Sequence, residues 1–253
     1  MKICVAQTRP VKGDTTVNIN NHKKLIELAL EDEANMIVFP ELSLTGYEPE
    51  LAKELATDKD DSQFDELQTI SNENNIAICA GMPLKTGNGV MIGMIIFQPK
   101  KPREVYTKQY LHADEFPFFV NGKAGTILKD HHDKVAIGIC YELSVPEHSE
   151  NAFKKGAEIY ITSVAKTAIG VEKAFETLSA IAKKHSMTVF MSNCVGHCDN
   201  FDSAGKTAVW NNKGVLMGQL DDINEGIIIF DTETEEMIEK IISPPILSFR
   251  ERN

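Results

Sequence analysis

The sequence predicts an α/β protein built from two similar halves. Three observations carry that expectation: short apolar runs recur along the chain, helical patterns lie between many of them, and two pairs of segments repeat one another. A strand is expected wherever a short apolar run is bounded by Gly, Pro, Asn or charged residues. In order, these are residues 3–7 (ICVAQ), 36–39 (MIVF), 76–81 (IAICAG), 91–97 (MIGMIIF) and 135–139 (VAIGI). Residues 158–162 (EIYIT), 188–192 (TVFMS), 207–210 (TAVW) and 226–230 (GIIIF) complete the set. Residues 16–33 place Val17, Leu25, Leu28 and Ala29 at helical spacing with Glu and Lys on the other faces, and 63–74 and 172–185 follow suit.

The repeat is weak but ordered. "EDEANMIVFPEL" (31–42) answers to "KKGAEIYITSVA" (154–165), and "TISNENNIAICAGMP" (69–83) to "AIAKKHSMTVFMSNC" (180–194). Each second unit is followed by a hairpin pattern, at 89–108 and again at 206–221, the latter with an Asn-Asn-Lys-Gly turn. Two such halves, each a sheet with helices on one side, are suited to pack sheet against sheet. No Gly/Ser-rich or Pro-rich linker divides them, so residues 1–253 are expected to form one domain.

Composition narrows the function classes. Lys plus Arg minus Asp plus Glu is 26 − 37 = −11 over 253 residues, which disfavours nucleic acid or an anionic membrane as partner. The acidic runs 31–33, 58–61 and 233–236 are expected on solvated helix or loop faces. No apolar run is long enough to cross a bilayer, and "MKICVAQTRP" reads as a first strand rather than a signal-peptide core. Five cysteines scattered through apolar segments point to reduced thiols and a cytoplasmic protein. "CVGHCD" (194–199) lacks a second Cys/His pair at zinc-finger spacing, so a loop after a buried strand is expected there rather than a metal site. "HHD" (131–133) is expected to be a polar turn.

Three polar residues each close a strand pattern: Glu41 after "MIVFP", Lys108 after "REVYT" and Cys140 after "VAIGI". Strand ends are where rigid elements deliver side chains into a shared cleft. Taken singly, a Glu after Pro starts a loop, a Lys is solvated, and a Cys after a buried strand is core. Together they have a chemistry: an ordinary thiol titrates at about 8.5, so it needs a base or a nearby cation to act as a nucleophile near neutrality.

The segments "FPELSLTGY" (39–47), "YTKQYLHADE" (106–115) and "GICYELSVPE" (138–147) resemble, in order and spacing, the three motifs of the nitrilase (carbon–nitrogen hydrolase) superfamily. The resemblance runs from the first strand to "GKTAVWNNKG". It implies a four-layer α-β-β-α sandwich of two mixed sheets with an internal pseudo-two-fold, assembled as a homodimer or higher homo-oligomer. It implies no metal and no organic cofactor. By position it makes Cys140 the nucleophile, Glu41 the general base and Lys108 the stabiliser of developing negative charge, with Glu115 at a second active-site glutamate. The Tyr141 backbone N–H would join Lys108 in receiving that charge, and Glu142 would buttress the elbow or line the pocket.

Substrate class follows less directly. Branches that bind an α-carboxylate or a carbamoyl acid carry an arginine shortly after the cysteine, and Tyr141-Glu142-Leu143-Ser144-Val145 has none. Lys166 or Arg103 would have to bind a carboxylate instead. True nitrilases carry tryptophan where Tyr141 stands. Hydrolysis of a small linear amide is therefore expected, with Tyr47, Phe116, Tyr141, Thr162 and Ala165 as pocket residues. The alternatives are an N-carbamoyl or ω-amide hydrolase and, from another class, a degenerate binding or regulatory protein on the same fold. A redox role for Cys140 lacks a resolving cysteine nearby in sequence, and a glutaminase module would need a second domain.

Overall fold

The computed structural model of the chain describes residues 1–123, 128–130 and 133–242. Its first strand, β1 (Lys2–Gln7), shows how the layers arise. Side chains alternate across a strand, so Ile3 and Val5 enter a core between two sheets while Cys4 and Ala6 enter another beneath helices. The chain continues through α1 (Thr15–Glu31), β2 (Met36–Val38), α2 (Ala52–Leu55), α3 (Asp65–Asn74), β3 (Ala77–Thr86), β4 (Gly89–Phe97) and β5 (Glu104–Thr107). Next come β6 (Leu128–Asp130), β7 (Asp133–Ile139), α4 (Pro146–Lys154), β8 (Ile159–Val164), α5 (Ala168–His185) and β9 (Thr188–Asn193). The last are β10 (Val195–Cys198), β11 (Phe201–Ala204), β12 (Ala208–Trp210), β13 (Leu216–Gln219), β14 (Glu225–Asp231) and β15 (Met237–Ile242).

One large sheet has the order β15-β14-β1-β2-β3-β4-β5 and the other β13-β12-β9-β8-β7-β6. Both are mixed. Strands β1, β2 and β3 are parallel, as are β7, β8 and β9, and their outer neighbours run antiparallel. Matching β1–β5 with β7, β8, β9, β12 and β13 makes the two orders coincide, so the repeated segments are the β2/β8 and β3/β9 units of a pseudo-two-fold. Phe190 and Phe230 meet edge-on between the sheets, 6.1 Å apart. Helices α1 and α3 cover the first sheet with Leu25, Ile26 and Leu67, and α4 and α5 cover the second with Ala152, Val171, Ala174 and Leu178. The result is the expected four-layer α-β-β-α sandwich. Each fully buried Phe or Leu contributes roughly 1.5–3 kcal/mol, so strand alternation sets which layer meets which.

Several local expectations need correction. Val17 is exposed, and the buried stripe of α1 is Asn18, Ile19, His22, Leu25, Ile26 and Ala29. Helix α5 starts at Ala168 rather than 172, because the Thr167 hydroxyl accepts from the Gly170 N–H and caps the first turn. "CVGHCD" is not a loop: β10 and β11 form a hairpin of their own. The acidic run 233–236 is exposed, as expected, at the turn between β14 and β15, where Asp231 N–H donates to Glu236 O. The Asn-Asn-Lys-Gly turn is held by Asn211 Oδ1, which accepts from Lys213 and Val215 N–H. His131 and His132 lie outside the described residues. Among those described, no helix is long and apolar enough to cross a membrane.

Candidate active site

Glu41 sits three residues past β2, on a loop fastened from several sides. Phe39 N–H donates to Cys79 O (2.9 Å), Leu44 N–H to Gly81 O (3.0 Å), and the Ser163 hydroxyl of β8 to Phe39 O (2.8 Å). The approach to β3 is so close that a Cβ at Gly81 would collide with the Leu42 nitrogen and the Pro40 carbonyl. The fold thus fixes Glu41 before any ligand arrives.

Lys108 follows β5 directly, its N–H bonded to Ile92 O (2.9 Å). Its ammonium donates to Glu41 Oε1 (2.8 Å) and to Glu115 Oε1 (2.6 Å). All three side chains are buried, at 0%, 0% and 1% exposure. Glu115 is held in turn by the Tyr47 hydroxyl (2.9 Å) and the His112 N–H (2.7 Å). Burial alone would lower the Lys108 pKa, but the negative charges and hydrogen bonds of Glu41 and Glu115 override it and raise it above the ordinary lysine value. Lys108 therefore stays charged. Burial raises the Glu41 carboxyl, against the pull of Lys108, which makes it a better proton acceptor than a surface glutamate. Its Oε2 is buried and makes no hydrogen bond among the described residues, and the Cys140 thiol is near enough to influence its titration.

Cys140 lies at the junction of β7 and a tight turn of 3₁₀ helix, Cys140–Ser144, that leads into α4. Its φ is +44°, a conformation that L-residues adopt only under constraint. The elbow leaves Sγ 4.0 Å from the Ala165 carbonyl oxygen at the end of β8. Burial and the Glu41 charge push the thiol up to about 11, while Lys166 and Lys108 pull it down. The resting group is therefore a thiol.

Glu142 is the clamp of the site. Its Oε2 accepts from the Tyr106 hydroxyl (2.6 Å) and the Ile139 N–H (2.7 Å), and its Oε1 from the Gln109 N–H (2.6 Å) and Tyr110 N–H (3.4 Å). One buried carboxylate therefore ties the residue before Cys140 to both residues after Lys108. Behind it, Tyr106 bonds to His148 Nε2 (2.8 Å), whose Nδ1 meets the Tyr160 hydroxyl (2.8 Å). With Glu142 accepting, the hydrogens order one way: Tyr160 donates to Nδ1, Nε2–H to Tyr106, and Tyr106 to Glu142. That order requires a neutral His148, and burial lowers its pKa to about 4. A Cβ at Gly138 would collide with the Tyr160 hydroxyl, which accounts for glycine inside β7.

The remaining candidates divide. Tyr47 joins the Glu115 cluster, and Ala165 adjoins the cysteine. Tyr141 is 38% exposed and meets His112 edge-on (5.2 Å), and Phe116 is 59% exposed. Thr162 faces the other way: it is fully buried, donates to Phe190 O (3.0 Å), and lies between Tyr160 and Val164 of the helix-side core. The strand runs on to Val164, so Thr162 is inside β8 rather than at its mouth. Arg103 is committed elsewhere, to Lys59 O, Asp61 O and Asp65. Reasoning from sequence missed Tyr106, His148 and Tyr160, which no local pattern marks. Among the described residues no group of three or more His, Cys, Asp or Glu side chains is arranged to hold a metal ion. Cys194 and Cys198 place their sulfurs 3.6 Å apart, both buried.

Known proteins resemble this chain in sequence or in fold. A hydrolase in the agr operon of Staphylococcus aureus is 23% identical over 252 residues, 97% of this chain and 96% of its own length. The 2-oxoglutaramate amidase of Bacillus subtilis (strain 168) is 24% identical over 238 residues, 92% of this chain and 91% of its own. An amidase from Nesterenkonia sp. AN1, solved as a cysteine-to-alanine mutant in complex with butyramide, has the same fold. Its TM-score is 0.82 at 20% identity, over 90% of this chain and 89% of that one. Another mutant of it carries the acetamide moiety of fluoroacetamide on its active-site cysteine (TM-score 0.82, 19% identity, 95% and 90% covered). The carbon-nitrogen hydrolase profile matches residues 2–240, taking in Glu41, Lys108 and Cys140 alike. The chain is an enzyme of the carbon-nitrogen hydrolase family.

Proposed function

We propose that the protein hydrolyses a small linear amide through a thioester on Cys140 and releases ammonia. One observation carries this reading: a thiol on a left-handed elbow stands beside a buried Lys108–Glu41 pair whose lysine is held charged. In the first step Glu41 takes the Cys140 proton as sulfur attacks the amide carbon. Negative charge gathers on the amide oxygen, received by the Lys108 ammonium and the Tyr141 N–H; such a donor lowers the barrier by about 3 kcal/mol. The C–N bond then breaks as Glu41 returns the proton to the leaving nitrogen. In the second step Glu41 takes a proton from water, hydroxide oxygen attacks the thioester, and the thiol is restored. Glu115 orients Lys108 throughout.

The butyramide complex and the acetamide adduct of the Nesterenkonia amidase support the amide class and the covalent step. The reading includes a cytoplasmic homodimer, in keeping with five free cysteines and checked by sedimentation. Its test is ammonia release from a panel of linear amides, N-carbamoyl compounds and nitriles. Turnover of linear amides, lost in Cys140→Ala, is the expected result. Preference for carbamoyl compounds or nitriles would move the assignment within the family, and ammonia from nothing in the panel would favour a binding protein.

A further inference from the structure

We infer that Lys166 is a specificity residue whose ammonium receives an anionic group, a carboxylate at the far end of the amide substrate. The inference rests on the amide-hydrolase reading above and names the class of amide.

Placement comes first. The Ala165 carbonyl oxygen lies 4.0 Å from Cys140 Sγ, so the next residue leaves β8 at the rim of the nucleophile's pocket. The Lys166 backbone is pinned there. Its N–H donates to Asn193 Oδ1 (3.0 Å), and its carbonyl accepts from the Ala204 N–H (2.9 Å) and the Ser203 hydroxyl (3.1 Å). A side chain delivered from so fixed a point is preorganised for a ligand. It is half-buried, and its ammonium has no hydrogen bond or ion pair with the described residues.

Charge supports the same conclusion. Lys166, like Lys108, draws the Cys140 thiol down, in keeping with its backbone position next to Ala165. Lys108 is taken up by Glu41 and Glu115, two carboxylates to one ammonium. Among the described residues, Lys166 is thus a cation beside the cysteine left for an incoming group. An anionic substrate entering that excess of carboxylate, on a chain of net charge −11, is repelled unless a cation offsets it. Neither an arginine after the cysteine nor Arg103 supplies one, since the first is absent from 141–145 and the second is bound to Asp65. The cation comes from the β8–α5 connection instead.

The test compares mono-amides of dicarboxylic acids, graded in length, with uncharged amides of equal length. The wild type is expected to favour the charged member by about tenfold or more in kcat/KM at the best length, a difference typical of one charged hydrogen bond. Lys166→Met should remove most of that ratio, Lys166→Arg should keep it, and Lys166→Glu should shift preference toward amides bearing an ammonium. An equal ratio in wild type and Lys166→Met overturns the inference while leaving amide hydrolysis intact. A second arm does not need turnover: calorimetric binding of the same mono-amides to Cys140→Ala, with and without Lys166→Met. If the wild type hydrolyses no amide, the proposed function falls, and this arm still decides. Affinity that depends on both the carboxylate and Lys166 upholds the anion site, and affinity indifferent to Lys166, or no binding, overturns it.

Discussion

The pocket around Glu41 and the clamp around Glu142 both bury a carboxylate between the Lys108 and Cys140 segments, yet their bonding differs. Glu142 accepts from four donors, three of them backbone N–H groups. Glu41 accepts from Lys108 and keeps Oε2 without a hydrogen bond among the described residues. A buried acceptor left unmatched costs stability, about 1–3 kcal/mol. A fold tolerates that cost where the open valence has chemistry to do; in the proposed function that chemistry is the uptake of a proton from Cys140 or water. The carboxylate with every lone pair occupied holds geometry; the one left open is suited to react.

The sharpest way to break this comparison is to remove the groups on the open side. Cys140→Ala is expected to lower amide turnover by at least about 10³-fold while keeping its melting temperature. Glu41→Gln should lower kcat by about 10²–10⁴-fold, and its thermal stability should hold or rise, as removal of a strained active-site charge permits. Steady-state kinetics alongside thermal denaturation checks both. Lys108→Met should lose both quantities, about 10²–10³-fold in kcat and about 3–5 kcal/mol in stability, because Glu41 and Glu115 are left without their cation.

On the clamp side the balance is expected to reverse. Glu142→Gln presents an amide NH₂ to groups that are all donors, so it should lose about 1–3 kcal/mol of stability and only about tenfold in kcat. Equal damage from Glu142→Gln and Glu41→Gln in both measurements would dissolve the distinction. The pH dependence sharpens it. Burial pushes the Glu142 carboxyl up to about 7, against the pull of Tyr106 and the Ile139 and Gln109 N–H groups. A protonated Glu142 offers an O–H where only donors face it, so kcat is expected to fall as pH drops through about 7, in a limb that Glu142→Gln lacks. Stability has the opposite sign. The folded pKa lies above the ordinary glutamate value, so protonation favours the fold below about 4.5, and that contribution is lost as pH rises through about 7. The stability advantage of wild type over Glu142→Gln should therefore grow from pH 8 to pH 5. The smallest expected effect is Tyr160→Phe, about 1 kcal/mol from a lost bond to His148, read by denaturant unfolding.

The two regions were unequally legible in the sequence. Glu41 and Cys140 each follow a strand that its apolar run announces, and Lys108 closes the hairpin pattern of 89–108, so the position of each at a strand end could be read locally. The clamp joins residues on β5, β8 and α4 to Glu142, 36 residues from Tyr106, and only tertiary structure brings them together. Thr162 was misplaced because its strand was expected to end there. Two further residues, Ser163 and Val164, belong to β8, and the alternation of side chains puts Thr162 with Tyr160 and Val164 on the helix side. The β10–β11 hairpin escaped notice because each strand has four residues and Gly196, at φ +89°, bends the first. Longer apolar runs such as β4 and β14 were found to within two residues at each end.

The central claim is that Cys140 carries the acyl group. Intact-mass and peptide-mapping measurement of enzyme quenched during turnover of a linear amide tests it most directly. The expected result is a mass increase equal to the amide less ammonia, mapped to the peptide containing Cys140 and absent from Cys140→Ala. Turnover with no adduct, turnover that survives in Cys140→Ala, or an adduct mapped to Cys194 or Cys198 would contradict it.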